Sequence, residues 1–250
     1  ILGASYEVSG ATLPDGDPVR GRHLVENVTL CAECHGSDFS GMVVEDAPMF
    51  GRLSAPNITP AGVVSEYTVA DWDRSLRHGV TPDGRGLVFM PSEGYASLSD
   101  QDAADVVAYL RTVSPVENVA PTTELGLIGR QLAAFGAIHI PAREIDHAAV
   151  GSNPVPGPTA EYGAYLVNIS GCTGCHGSQL EGQQMGPDDP VAPAINASVN
   201  GSWTFEQFDG AVRHGVGIDG RQLAAIMPSR GFAGMSDDEV RALFLHIHTP

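Results

Sequence analysis

The 250-residue chain carries 13 Lys+Arg against 30 Asp+Glu, a formal net charge of −17 that excludes nucleic acid, whose phosphates demand the opposite sign. With 42% hydrophobic and only 17% charged residues it is not a disordered chain, and its length suits one large domain or two of ordinary size. Aromatics, at 6%, are lean for two cores built from side chains alone, which points to something other than protein filling part of the interior.

The sequence opens at Ile1 without an initiator Met, and reads as a processed or truncated product whose signal peptide or anchor would lie upstream. The first helix places Leu24, Val25 and Val28 on one side and runs into Cys31-Ala32-Glu33-Cys34-His35. C-x-x-C-H is the attachment sequence of c-type haem. Two thiols one helical turn apart add to the two vinyl groups on one porphyrin edge, and the next His reaches the iron as its proximal ligand. A Gly/Pro-rich loop follows, including Pro56-Asn57, where a backbone carbonyl can orient the proximal His. A short helix is expected over Val69 to His78, closed by glycine, and then a loop delivers Met90-Pro91. Ser99 with Asp102 opens the last helix of the first half.

Residues 116–158 read as a connection, with a helix from Thr123 to about His139 that packs across the domain junction, then Ile140-Pro141 and a Pro/Gly-rich run from Gly151 to Pro158. Leu125 to Ile140 is the best membrane-span candidate, but it is too short and carries Arg130, so no transmembrane segment is expected.

The second half repeats the first. Cys172-Thr173-Gly174-Cys175-His176, Arg213-His214-Gly215-Val216, Met227-Pro228-Ser229 and Ser236-Asp237 recur in the order of Cys31 to His35, Arg77 to Val80, Met90 to Ser92 and Ser99-Asp100, offset by about 140 residues. Leu166, Val167 and Ile169 stand for the first apolar face, the Pro193 region for Pro56, Thr204 to His214 for the short helix, and Ser236 with Glu239 for the last cap. The expected fold class is all-α, with tandem domains over 1–115 and 159–250.

All four cysteines fall in the two haem motifs. A disulfide framework suits small scaffolds, and a four-thiolate zinc site would leave both His residues and the repeat unexplained. Met90 and Met227 sit in register before Pro and are the candidate sixth ligands, a thioether being the soft neutral donor that holds iron in both redox states. His78 and His214, which also repeat, compete as ligands. Met42, Met49, Met185 and Met235 read as packing residues, and His23, His139, His147, His246 and His248 as surface or linker residues. Tyr67 and Trp72 match Trp203 and Phe208 as one aromatic pair per half. Arg77 and Arg213 are candidates for bidentate pairing with haem propionates, against the alternative of solvated arginines.

The order G-x-x-L-V, C-x-x-C-H-G, P-N-I-T, R-H-G-V, M-P and L-S-D-x-D before Tyr109-Leu110 resembles class I c-type cytochromes, and most of all tandem dihaem cytochromes serving periplasmic alcohol, gluconate and aldehyde dehydrogenases. The resemblance implies two covalently bound haem c groups and one-electron transfer, as a free carrier or as a subunit of a respiratory, photosynthetic or dehydrogenase complex. It places the protein in the periplasm or on the outer face of a bacterial membrane. The acidic charge adds an expected redox partner with a basic docking surface. The rivals are a dihaem enzyme of peroxidase or thiosulfate-oxidising type, which needs an open iron site or a spare Cys, and a structural haem subunit of a larger assembly.

Overall fold

The computed structural model describes residues 5–184 and 190–248. In chain order its elements are α1 (Pro18–His23), which passes into a π turn over Leu24–Val28, α2 (Ala32–His35), β1 (Met42–Ala47), β2 (Gly51–Ala55), α3 (Val69–Arg77), α4 (Ser92–Tyr95) and α5 (Asp100–Leu110). Then come β3 (Glu124–Leu125), α6 (Leu127–Ala134), a 3-10 turn over Pro141–Arg143, α7 (Ala160–Ile169), α8 (Cys172–His176), β4 (Gln183–Gln184), β5 (Val191–Ala192), α9 (Ala197–Asn200), α10 (Phe205–His214), α11 (Ser229–Phe232) and α12 (Asp237–His248). The chain divides into two compact units, one of residues 1–25 and 31–152, the other of 26–30 and 153–250.

Local chemistry explains the helix boundaries. Thr68 caps α3 in a reciprocal box with Asp71, and Thr204 does the same for α10 with Gln207. Ser99 accepts from the Asp102 amide at the start of α5, and at the start of α12 Ser236 and Glu239 form the expected box. Gly79 and Gly215 follow α3 and α10 with φ of 63° and 65°, the left-handed conformation that ends a helix cheaply only in glycine.

In each unit two helices cross at a glycine, α1 with α5 and α7 with α12. A Cβ on Gly21 would lie 1.8 Å from the Asp105 carbonyl oxygen, and one on Gly163 would lie 2.0 Å from that of Ala242. That close approach buries Leu24 and Val25 on one side and Val106, Val107 and Leu110 on the other in the first unit, with Leu166, Ile169, Val240 and Leu243 in the second.

Two expectations are corrected. The chain is mainly helical but not all-α, because β1, β2 and β3 form an antiparallel sheet and β4 pairs with β5. The β-branched pair Val43-Val44 suits a pleated strand, a bulge between Val43 and Glu45 shifts the register, and Gly51 takes a φ of 113° beside the Leu125 backbone. Second, the stretch 116–152 belongs to the first unit. Its helix is shorter than expected: Glu124–Leu125 pairs with Gly51 and Arg52, and α6 ends before Gly136, whose φ is 77°. α6 packs on the sheet of its own unit, with Gly129 against the Phe50 carbonyl. Among the described residues no helix is long and apolar enough to cross a membrane.

Candidate functional site

The two halves build the same proximal frame. α2, preceded by Cys31 at its N-cap and containing Cys34, and α8, containing Cys172 and Cys175, each end on a buried His. The next residues, Gly36 and Gly177, have φ of 82° and 88°, which turns the chain sharply after each His. The turn closes through Gly41 N–H donating to the His35 carbonyl at 2.8 Å, and Gly182 N–H to that of His176 at 2.7 Å. Phe39 and Leu180 both adopt positive φ, and their carbonyls accept from Ile58 and Ile195, which brings the proline loop back over the His. Neither residue was singled out in the sequence; their equal distance behind each motif was the available signal.

His35 Nδ1 lies 2.8 Å from the Pro56 carbonyl oxygen, and His176 Nδ1 lies 2.8 Å from that of Pro193. A carbonyl only accepts, so each Nδ1 carries the hydrogen and each Nε2 keeps its lone pair for a metal. Burial, outweighing the Pro56 hydrogen bond, lowers the pKa of His35, which favours the neutral ring a ligand needs. The cysteines are free. Burial raises the Cys34 thiol, helped by the Glu33 charge, and raises Cys172 and Cys175, so these thiols sit as neutral S–H groups. A thiol pair one turn apart, followed by a pinned imidazole with a free Nε2, fits covalent haem in both units. Tyr95 is buried, and burial above all drives its pKa well up. Phe232 takes its place in the repeat.

The distal loops also match. Val80 bridges to Gly86, and Val216 to Gln222. Leu87 N–H donates to Gly79 and Leu223 N–H to Gly215, both at 2.7 Å. Met90 and Met227, both half-buried, then precede Pro91 and Pro228, whose backbones agree at φ −77°, ψ 49° and φ −81°, ψ 48°. Buried Ser92 Oγ donates to the Ser75 carbonyl at 3.1 Å and Ser229 Oγ to that of Ala211 at 2.9 Å, anchoring each loop to the helix before it. These serines repeat with Met-Pro, but their anchoring role was missed.

Other candidates fall elsewhere. Arg77 is buried, with Nε on Asp73 at 2.5 Å and Nη1 on Asp100 and the Leu98 carbonyl. Arg213 likewise engages Asp209, Asp237 and the Met235 carbonyl. With a nitrogen of each two-nitrogen edge already spent, neither guanidinium offers a free bidentate face to a propionate, and neither is a solvated arginine. His78 is buried, its Nδ1 3.0 Å from His147 Nδ1 and its Nε2 facing Asp73, so neither ring nitrogen is turned to an iron. His214 is exposed. His147, in the expected linker, and His246 and His248 are half-buried, and His248 packs on Phe244 with ring centres 4.0 Å apart. Met235 is core as expected, Met42 and Met49 are exposed, and Met185 lies outside the described residues. Tyr67 meets Trp72 edge-on at 5.8 Å, while Phe208 packs against Phe244 at 5.7 Å.

The family described as "Cytochrome C oxidase, cbb3-type, subunit III" matches residues 16–110 and again 158–247. The chain belongs to this family. The cytochrome is 31% identical over 62% of its length to the fructose dehydrogenase cytochrome subunit of Gluconobacter japonicus. It is 32% identical over 58% of its length to a diheme cytochrome c-type protein of Cereibacter sphaeroides, and 29% identical over 74% to the cytochrome c subunit of a quinone alcohol dehydrogenase of Gluconobacter oxydans. It spans 33%, 52% and 40% of these relatives' own lengths. The cytochrome therefore carries two covalently bound haem c groups.

Proposed function

We propose that the cytochrome is the periplasmic electron-transfer subunit or carrier of a dehydrogenase, holding one haem in each unit. Cys31 and Cys34 form the thioether bonds of the first haem, His35 is its proximal ligand and Met90 its distal one. Cys172, Cys175, His176 and Met227 play those parts for the second. The observation that carries this reading is the pair of imidazoles pinned alike through Nδ1 to a proline carbonyl, each followed by a Met-Pro turn of the same backbone shape. The haem supplies an iron that cycles between two oxidation states. The protein keeps each His in one tautomer, fixes the methionine backbone through Ser92 or Ser229, and so limits rearrangement on each electron. No catalytic residue is assigned.

The names of the relatives support a dehydrogenase as the electron donor, and covalent haem attachment outside the cytoplasm supports the periplasm. The charge of −17 supports docking on a basic partner surface. Transfer to such a partner should then slow as salt rises, since screening shortens the reach of charge to about 8 Å near physiological ionic strength.

Acid–acetone extraction should leave the colour on the polypeptide. The oxidised protein should show the weak red absorption of an Fe(III)–thioether bond, and Met90→Ala and Met227→Ala should each remove about half of it. Colour leaving with the solvent would end the covalent reading. A red band that neither variant touches would end the ligand assignment.

A further inference from the structure

The methionine loop of the first unit is gripped from outside by residues 139–152. A Cβ on Gly86 would meet Ile140 Cγ2 at 2.7 Å, and one on Gly79 would meet Pro141 Cβ at 3.3 Å and Ser92 Cβ at 3.2 Å. Ile140 and Pro141 therefore press on the hairpin that leads to Met90 and on the turn beneath Ser92. Ile140, Ala142 and Val80 form a buried apolar cluster joined by Tyr6 and Val8. Polar bonds tie the rest of the segment around α4. His139 Nε2 lies 3.3 Å from Glu93, Gly151 N–H donates to the Ala96 carbonyl at 2.7 Å, and Ser152 Oγ to that of Ser97 at 2.6 Å.

At the centre His147 bridges two elements. Its Nε2 lies 3.1 Å from the Ala142 carbonyl, which only accepts, so Nε2 carries the hydrogen. The Nδ1 of a neutral His147 then accepts from His78 Nδ1–H at 3.0 Å. This bond fastens the segment to the end of α3, the same helix whose Ser75 carbonyl holds Ser92.

Among the described residues the second unit shows no such grip. Gln222 stands where Gly86 does, residues 221–226 are all exposed, and the His214 side chain is 64% exposed. In the corresponding stretch 85–89 the middle residues 86–88 are half-buried while Arg85 and Phe89 are exposed, and the His78 side chain is 6% exposed.

We infer that residues 139–152 are a strap that positions the Met90 loop, with His147 as its latch, and that they make Met90 the less easily displaced of the two methionines. The inference rests on the ligand assignment proposed above. His147, Ile140 and Pro141 are positioning residues, acting on the loop and not on the iron.

The test adds imidazole to the oxidised full-length cytochrome and follows loss of the red band in time. Two phases of similar amplitude are expected, the slower one missing from Met90→Ala. His147→Ala should quicken only the slow phase, by roughly two- to tenfold, the factor one hydrogen bond supports. Gly86→Gln, which copies the second unit, should do the same by pushing Ile140 away while removing no hydrogen-bonding group, and it carries the test if His147→Ala does not fold. A single phase, a slow phase belonging to Met227, or a slow phase unmoved in folded variants would overturn the strap. So would a lower melting temperature with unchanged exchange rates, which marks a structural role only. A red band undiminished in Met90→Ala would instead overturn the ligand assignment beneath it.

Discussion

The two units share a proximal half and differ in how the distal half is supported. Both pin their His through a proline carbonyl at 2.8 Å, so the part of the frame that fixes the ring tautomer is the same in each. Behind the methionine loop they diverge. In the first unit Asp73 and Arg77 are an almost wholly buried ion pair, with His78 and His147 stacked beside them. In the second, Arg213 and Asp209 make the same pair with side chains 17% and 19% exposed, and His214 lies in solvent. One sequence pattern, R-H-G-V, thus serves as a core element in one unit and a half-open one in the other. Covering the pattern with more chain is what makes the difference.

The largest expected contrast lies in that ion pair. Asp73→Asn leaves the buried Arg77 with only the exposed Asp100 as a charge partner and should cost about 3–5 kcal/mol by denaturant melting. Asp209→Asn should cost clearly less, because water reaches its pair; equal losses would break the comparison. The same carboxylate gives a pH signature. Burial alone would raise Asp73, but the His78 ring beside it, hydrogen bonds from the Ala11 amide and Arg77, and the Arg77 charge hold it below the ordinary aspartate value. Its contribution is therefore complete above an unfolded pKa of about 3.9 and fades as pH falls through the lower folded value. Acid titrations of wild type and Asp73→Asn should converge in that range.

A second pair of substitutions should act alike in both units. Gly21→Ala and Gly163→Ala each drive a Cβ into a backbone carbonyl of the crossing helix, and each should lose about 1–3 kcal/mol or more. Thermal melts that spare one of them would show that the helix crossings are not equivalent. Smallest are the serine anchors. Ser92→Ala and Ser229→Ala should each cost about 1 kcal/mol, the net worth of one hydrogen bond, and amide exchange should quicken in the turn that follows. The first should be blunted if the strap already holds the loop, which sharpens the contrast.

Much of the site was legible because its chemistry is local. Two thiols and a His within five positions need only one turn of helix to be brought together, and the repeat put Met90 and Met227 in register without any knowledge of the fold. The proline carbonyls were foreseen as well, since a loop rich in Pro and Gly has backbone to spare for a ring nitrogen. The roles of Arg77 and Arg213 were not legible. An arginine one helical turn beyond an aspartate looks the same whether its guanidinium points at a propionate, at water or into the core, and only Asp100 and Asp237, met from the far side, decide it.

What the sequence determined by itself is whatever depends on neighbours along the chain: the haem motifs, the caps at Ser99 and Ser236, the turns at Gly79 and Gly215, and the doubling of the whole unit. Tertiary structure alone decided that residues 116–152 join the first unit, that Glu124 and Leu125 complete a sheet begun at Met42, and that His147 meets His78. Those pairings span 69 or more residues in the case of Arg52 with Glu124 and His78 with His147, and no local spacing encodes them. They form because Ile140, Ala142 and Val80 gain more by leaving water together than the intervening chain loses in freedom, a balance set by the folded surface and not by any short stretch of sequence.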